Sequence, residues 1–176
     1  MKGFVTISKI TLADGQELST QRAVDYGWVA GLKGGQPSGW GLQRHEIPLG
    51  HNLVVDQGRQ CVAYAMGFRA PITDFTIGKF GVGTGLTAAK VTDVALEAAV
   101  ALTGGFTTKA IDLIDFISPF VVRVSFTLSA SEANGYVLSE MGLYTGNDTL
   151  IARKVRSVSI NKTSDFAPTL TWRIRF

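Results

Sequence analysis

The residues that most invite a chemical role are the glycines of residues 81–85, Gly-Val-Gly-Thr-Gly, which have the glycine content of a phosphate-binding loop. A Walker loop closes with Gly-Lys-Ser/Thr, and a dinucleotide-binding loop leads into a helix with an acidic residue about twenty positions further on. No lysine followed by serine or threonine closes the loop here. Residues 86–90 lead into another interruption before Thr92, and not into a continuous helix. We therefore predict that these glycines form a tight turn between strands and bind no nucleotide.

Histidine and cysteine offer little scope for metal binding or nucleophilic catalysis. His45 and His51 lie six residues apart across a proline and a glycine, and no cysteine or acidic cluster completes a metal-binding pattern. Cys61 is the single cysteine, so it forms no intrachain disulfide, and its apolar neighbours suggest a small buried hydrophobe. No Gly-x-Ser-x-Gly elbow marks a catalytic serine. We predict no metal site, no cofactor and no catalytic residues, and hence no enzyme.

Carboxylates are the remaining candidates for acid–base chemistry or metal binding, as two pairs: Asp112 with Asp115, and Glu132 with Glu140. Glu140 stands out because it interrupts the otherwise apolar residues 137–144. A carboxylate that faces a core is costly unless it is paired. We expect a structural ion pair or hydrogen bonds within the fold, with Arg153 or Arg156 on the next strand as the cation.

Size and composition indicate one domain with a substantial core. The chain has 176 residues, of which 45% are apolar and 18% charged, and its net charge is +3. Basic residues are concentrated in residues 150–176, and the simplest interpretation is that they occupy the solvent-facing positions of alternating strands, so nucleic-acid binding is not expected. No run resembles a signal peptide or reaches the length of a membrane span, which favours a protein made and folded in a cytoplasm without membrane contact.

Alternating apolar and β-branched residues dominate the pattern and predict antiparallel strands. The predicted strands are residues 4–10, 75–80, 120–129, 137–144, 150–155 and 169–176. One short helix is predicted over residues 56–66, with Asp56 as N-cap, Gly67 as the stop and an apolar face of Cys61, Val62, Ala65 and Met66. Residues 92–100 fit either a strand or a short helix, and residues 103–118 look irregular. The predicted fold is a mainly β antiparallel sandwich with one short helix and an extended N-terminal arm.

The first 41 residues are predicted to form a strand and a glycine-rich arm, and residues 42–176 the β-sandwich domain. Residues 31–41 hold five glycines and a proline and must form a loop. Trp28 and Trp40 flank this loop, where aromatic side chains either anchor a protein contact or close the end of the core. With Phe4 and Ile7 of the first strand, they are our candidates for contacts between subunits.

Two groups of segments together resemble structural proteins of tailed bacteriophages, especially tail-collar fibre and related neck or tail proteins. The first group is Ile-Gly-Lys-Phe-Gly-Val-Gly-Thr-Gly at residues 77–85, with Thr-Asp-Val-Ala-Leu-Glu at residues 92–97. The second is Ser-Glu-Met-Gly-Leu-Tyr at residues 139–144, with Thr-Leu-Ile-Ala-Arg at 149–153 and the closing Thr-Trp-Arg-Ile-Arg-Phe at 171–176. The resemblance covers residues 50–176.

The resemblance implies a non-enzymatic virion protein of the neck, collar or tail that assembles as repeated copies, in a ring or at the base of a fibre, and joins other phage proteins. It implies no catalytic residues, and a virion location after synthesis in the host cytoplasm. Two alternatives stay open: a carbohydrate- or receptor-binding module of a tail fibre, in which Trp40 stacks on a sugar ring, and a capsid decoration protein.

Overall fold

The computed structural model describes residues 2–12, 17–18, 29–30, 47–67 and 75–175. Within these ranges it contains eleven β-strands, one α-helix and a short 3₁₀ turn at Thr103–Gly105. The strands are β1 (Lys2–Leu12), β2 (Glu17–Leu18), β3 (Val29–Ala30), β4 (Ile47–Val54), β5 (Ile77–Gly83), β6 (Lys109–Ala110), β7 (Leu113–Ser118), β8 (Val121–Thr127), β9 (Val137–Thr145), β10 (Leu150–Asn161) and β11 (Phe166–Arg175). The helix α1 spans Asp56–Met66.

All described strand pairs are antiparallel, in the order β6-β5-β9-β10-β4-β1-β11-β8-β7, with β2 beside β1 and β3 beside β10. The two ends of this order, β6 and β7, follow one another along the chain. The strands form two sheets, one around β5, β9 and β10 and the other around β1, β11 and β8, and side chains of the two sheets pack into one shared core. The predicted mainly β, sandwich-like class is confirmed.

The core lies between the two sheets, and strand alternation explains which side chains fill it. Phe80 of β5 stacks on Phe126 of β8 with ring centroids 4.0 Å apart, which joins the two layers directly. On β8, Val124 and Phe126 are fully buried, and so is Leu128 just beyond the strand, as the alternation predicts. Alternation over the predicted strand 120–129 places Phe120 on the same face as Val124 and Phe126, but Phe120 precedes the observed strand and is 68% exposed.

Helix α1 has the predicted bounds, with two differences in detail. Val55 is the N-cap and Asp56 the first helical residue, and the helix ends at Gly67, whose N–H donates to the Ala63 carbonyl at 3.0 Å. Cys61 is buried as predicted, whereas Met66 is 77% exposed and does not belong to the buried face. Gly58 lets the helix approach β10, since a Cβ there would lie 2.1 Å from the Ile151 carbonyl oxygen.

Three other predictions from the sequence are wrong. The glycines of residues 81–83 belong to β5 and make no tight turn. Residues 92–100 form neither a strand nor a helix, but an irregular segment with a turn and several bends that touches the sheet through an isolated bridge from Ala99 to Gly83. Residues 103–118, expected to be irregular, contain the 3₁₀ turn, β6 and β7.

The N-terminal strand is paired on both sides. In β1, Phe4 lies opposite His51 and Arg173, and Ile7 lies opposite Ile47 and Leu170. A boundary at residue 41 would separate β1 from the two strands beside it, although the division into arm and domain itself remains a prediction. Trp28 and Trp40, together with His45, lie outside the described residues.

Candidate functional site

Glu140 is the most deeply buried charge that the sequence singled out, and it lies at the centre of a polar cluster on the outer face of β9. Its side chain is fully buried, and Oε1 accepts hydrogen bonds from Arg153 Nε at 2.6 Å and from the Glu97 N–H at 2.7 Å. Oε2 accepts the Ala98 N–H at 3.1 Å. The two carboxylate oxygens thus accept hydrogen bonds from Arg153 of β10 and from residues 97 and 98, which belong to a segment that crosses over the sheet.

Arg153 extends this cluster across residues 84–102, the segment that covers the outer face of β5 and β9. Its Nη1 donates to Asp93 Oδ2 at 2.6 Å, and its Nη2 donates to the Thr87 carbonyl at 3.2 Å. Burial alone would lower the pKa of Arg153, but the hydrogen bonds to Asp93 and Glu140 outweigh it and raise that pKa. One guanidinium therefore fastens the covering segment to the sheet at several points.

Two of the three glycines that resemble a phosphate loop, Gly83 and Gly85, are explained by the Glu140 carboxylate, whereas a Cβ on Gly81 would lie 2.8 Å from the Thr107 carbonyl oxygen. A Cβ on Gly83 would lie 2.5 Å from Glu140 Oε2, and a Cβ on Gly85 would lie 2.6 Å from the same oxygen. Real Cβ atoms do not approach other atoms so closely, and glycine is the residue for such close approach. These positions therefore make room for a carboxylate of the chain itself.

Arg156, the other predicted partner of Glu140, takes no part in this cluster. Strand pairing places Arg153 opposite Gly142, on the sheet face that Glu140 shares, whereas Arg156 lies three residues further along β10. Its Nε and both Nη atoms are buried and have no hydrogen-bond partner among the described residues. Burial lowers the pKa of Arg156 to about 9.

Glu132 and Asp115, two of the other predicted carboxylates, are also engaged in structural contacts, whereas Asp112 is exposed. Glu132 is buried and accepts hydrogen bonds from Thr103 Oγ1 at 2.5 Å, Lys109 Nζ at 2.9 Å and the Ser129 N–H at 2.8 Å. Burial opposes the ionised form, yet these donors lower the pKa of Glu132 to about 2. Such a weakly basic carboxylate is poorly suited to proton transfer near neutral pH.

On the β7–β8 pair, the side chain of Asp115 is bound by the guanidinium of Arg123, whose Nε lies 2.8 Å from Oδ1 while its Nη2 contacts Oδ2. The hydrogen bond from Arg123 lowers the pKa of Asp115. Asp115 and Arg123 are directly opposite each other in the strand register. The single acidic side chain within β7 is thus already paired inside its own chain.

An apolar surface at one end of the sheet is the feature that sequence reasoning missed. We call it the β7 edge surface, and it consists of Leu113, Ile114, Phe116, Ile117 and Phe120. Phe116 is 74% exposed, and the three aliphatic side chains are 43–49% exposed. Neither face of β7 is polar apart from Asp115 and Ser118, so the strand shows no alternation. Four apolar residues within Leu113–Ile117 were the signal that could have revealed it.

No group of three or more histidine, cysteine, aspartate or glutamate side chains among the described residues is placed to hold a metal ion. No described helix has the length and apolar character needed to cross a membrane. Burial raises the pKa of the Cys61 thiol, which makes it a weaker nucleophile.

Comparison of the chain with protein-family models, with curated proteins and with solved structures finds no match. The resemblance to phage structural proteins therefore depends on the sequence motifs within residues 77–97 and 139–176. Two of those motifs meet in the fold, because Gly83 of the first and Glu140 of the second are paired neighbours on β5 and β9.

Proposed function

We propose that this chain is a non-enzymatic structural protein of a tailed-bacteriophage virion, in the neck, collar or tail, where repeated copies join each other and other virion proteins. The observation that carries the assembly role is the β7 edge surface. Large apolar side chains stand exposed there along the outermost strand of a sheet. Native proteins normally protect such edges, and a concentration of exposed apolar side chains is typical of an interaction site.

The buried charges support a structural role in a different way. Glu140, Arg153 and Glu132 direct their hydrogen bonds to the chain itself, and they fasten loops to the sheets. Their arrangement accounts for three of the charges that the sequence singled out, and for Gly83 and Gly85, without any reaction. The virion location depends on the resemblance of residues 50–176 to phage proteins, and the assembly role depends on the exposed edge.

Co-sedimentation with phage particles tests the proposal. A tagged copy of the chain, expressed during infection by the phage that encodes it, should sediment with intact particles and label their neck, collar or tail in electron micrographs. The variant F116K should fold but be depleted from particles, since a lysine on an edge strand opposes pairing. The variant M66K is the control, because Met66 is as exposed as Phe116 but lies at the end of α1. Absence of the tagged chain from intact particles would refute the virion role.

A further inference from the structure

We infer that Arg156 is the centre of a binding site for a small oxyanion, a phosphate or carboxylate group, which Lys154 flanks on the same face of β10. The site is separate from the polar cluster around Glu140 and does not depend on the proposed assembly role. Three observations carry the inference: a buried guanidinium without a partner, the strand bulge that holds it, and a second cation beside it.

The guanidinium of Arg156 is buried and unsatisfied. The residue is 7% exposed, and its Nε, Nη1 and Nη2 atoms have no hydrogen-bond partner among the described residues. Most buried polar groups in native proteins are hydrogen-bonded, and an isolated buried charge is costly. Water could accept the hydrogen bonds, but only an anion also compensates the positive charge. Three unsatisfied donors on one charged side chain therefore indicate an anionic ligand.

An irregularity in the sheet holds Arg156. Val155 of β10 lies opposite Glu140 of β9, but the next paired residue of β10 is Ile160, opposite Leu138. Residues 156–159 therefore lie opposite a single residue of β9, and Arg156 is the first residue of this bulge. Bulges re-aim side chains and are common beside functional sites. The backbone thus sets Arg156 apart from the regular ladder of the sheet.

Lys154 provides the second cation. It lies opposite Met141, a residue of the core shared by the two sheets, and alternation puts Arg156 on the same face two residues further on. Lys154 is half-buried, and burial lowers its pKa, as does the positive charge of Arg156. Two cations that repel each other therefore face the same region, and an anion bound between them would stabilise both.

The compensating charge does not come from the described residues. The buried carboxylates there are bound elsewhere, Glu140 by Arg153 and Glu132 by Lys109. Burial lowers the pKa of Arg156 to about 9, and no described acidic side chain opposes this shift, although the side chain remains charged at neutral pH. A small oxyanion suits the site for two reasons. The planar guanidinium binds two oxygens at once, and a side chain so little exposed is reached more easily by an ion than by a protein surface.

Urea-induced unfolding of the full chain tests the site, in phosphate, acetate or chloride at constant pH and ionic strength. A ligand that binds only the folded state lowers the unfolding equilibrium constant in proportion to its concentration, once that concentration exceeds the dissociation constant. For the wild type, each tenfold increase of phosphate or acetate in that range should lower the constant about tenfold.

Two variants separate specific binding from general salt effects. R156M is the matched control, because it keeps a side chain of similar length and should show only the general stabilisation that phosphate gives proteins. R156K keeps the charge but loses the planar fork. It should bind the anion about tenfold more weakly, the cost of one charge-assisted hydrogen bond.

Stabilisation by phosphate or acetate that occurs in the wild type and not in R156M supports the inference, and the anion that produces it identifies the ligand group. An equal dependence on the anion in the wild type and R156M, or none in either, overturns the inference and leaves the proposed function standing. If R156M does not fold, R156K takes its place, and an affinity equal to that of the wild type would overturn the site.

Discussion

Replacing Arg153 by methionine should destabilise the protein by about 3–5 kcal/mol, the usual effect of removing one member of a buried ion pair. The structure explains the size of the effect. Arg153 is buried, its Nε and Nη1 bind Glu140 and Asp93 at 2.6 Å each, and Glu140 is fully buried. Methionine fills similar space but leaves the Glu140 carboxylate without its counter-charge. Urea-induced unfolding measures this loss.

A double-mutant cycle separates the ion pair from general packing. E140Q removes the charge while keeping the shape, and the combined variant E140Q/R153M should cost less than the sum of the two single changes, with a coupling of about 1.5–3 kcal/mol. The control is R59M, because Arg59 forms a solvent-exposed pair with Asp56 at 3.5 Å and should cost no more than about 0.5 kcal/mol to replace. Additive single effects, or an R153M cost below about 1 kcal/mol, would refute the reasoning.

Three further predictions concern pH, backbone approach and the N-terminal strand. The folded-state pKa of Glu132 is about 2 against an ordinary value of 4.5. The ionised Glu132 therefore stabilises the folded protein fully above about pH 5, and this stabilisation is lost as the pH falls towards 2. E132Q should remove up to about 3 kcal/mol of this pH dependence in urea titrations. G83A should destabilise by roughly 1–3 kcal/mol in thermal melts, since its Cβ would meet Glu140, whereas G67A at an ordinary contact should change little. Deleting residues 1–12 should prevent cooperative unfolding in circular dichroism melts, because β1 lies between β4 and β11; a truncated chain that still melts cooperatively would show that the arm is separable.

The strands and the helix were predictable wherever one face is buried and the other is wet. On β8, Val124 and Phe126 alternate with polar residues, and this contrast gave the strand and its buried face directly. The helix was predictable because apolar residues recur at helical spacing up to Met66, and Gly67, a residue type that commonly ends helices, follows directly. Met66 was misplaced since helical spacing shows which residues share a face, but not how far the neighbouring sheet covers it.

β7 could not be recognised from alternation because both of its faces are apolar. Leu113 lies on one face of the sheet, opposite Ser125, while Ile114 and Phe116 lie on the other, opposite Val124 and Val122, and all three side chains are exposed. Only the fold shows that no described element covers these side chains. The same limit explains Gly83, whose sequence context suggests flexibility, while its actual requirement is the approach of Glu140 from a strand 57 residues further along the chain.

Glu140 was recognisable as a charge that needs a partner, but the choice between Arg153 and Arg156 depended on strand register. A shift of one residue between β9 and β10 would exchange the faces of the two arginines. The register observed places Arg153 opposite Gly142 and leaves Arg156 buried apart from the cluster. The sequence shows that Glu140 needs a positively charged partner, whereas the strand register in the sheet determines which arginine that partner is.

Sedimentation velocity on the full chain over a range of concentrations is the most direct test of the central claim that this protein acts by assembling with copies of itself. The wild-type chain should sediment as a dimer or larger species, M66K should behave like the wild type, and F116K should sediment as a folded monomer. A wild-type chain that sediments as a monomer at every concentration, with a profile identical to that of F116K, would contradict the claim.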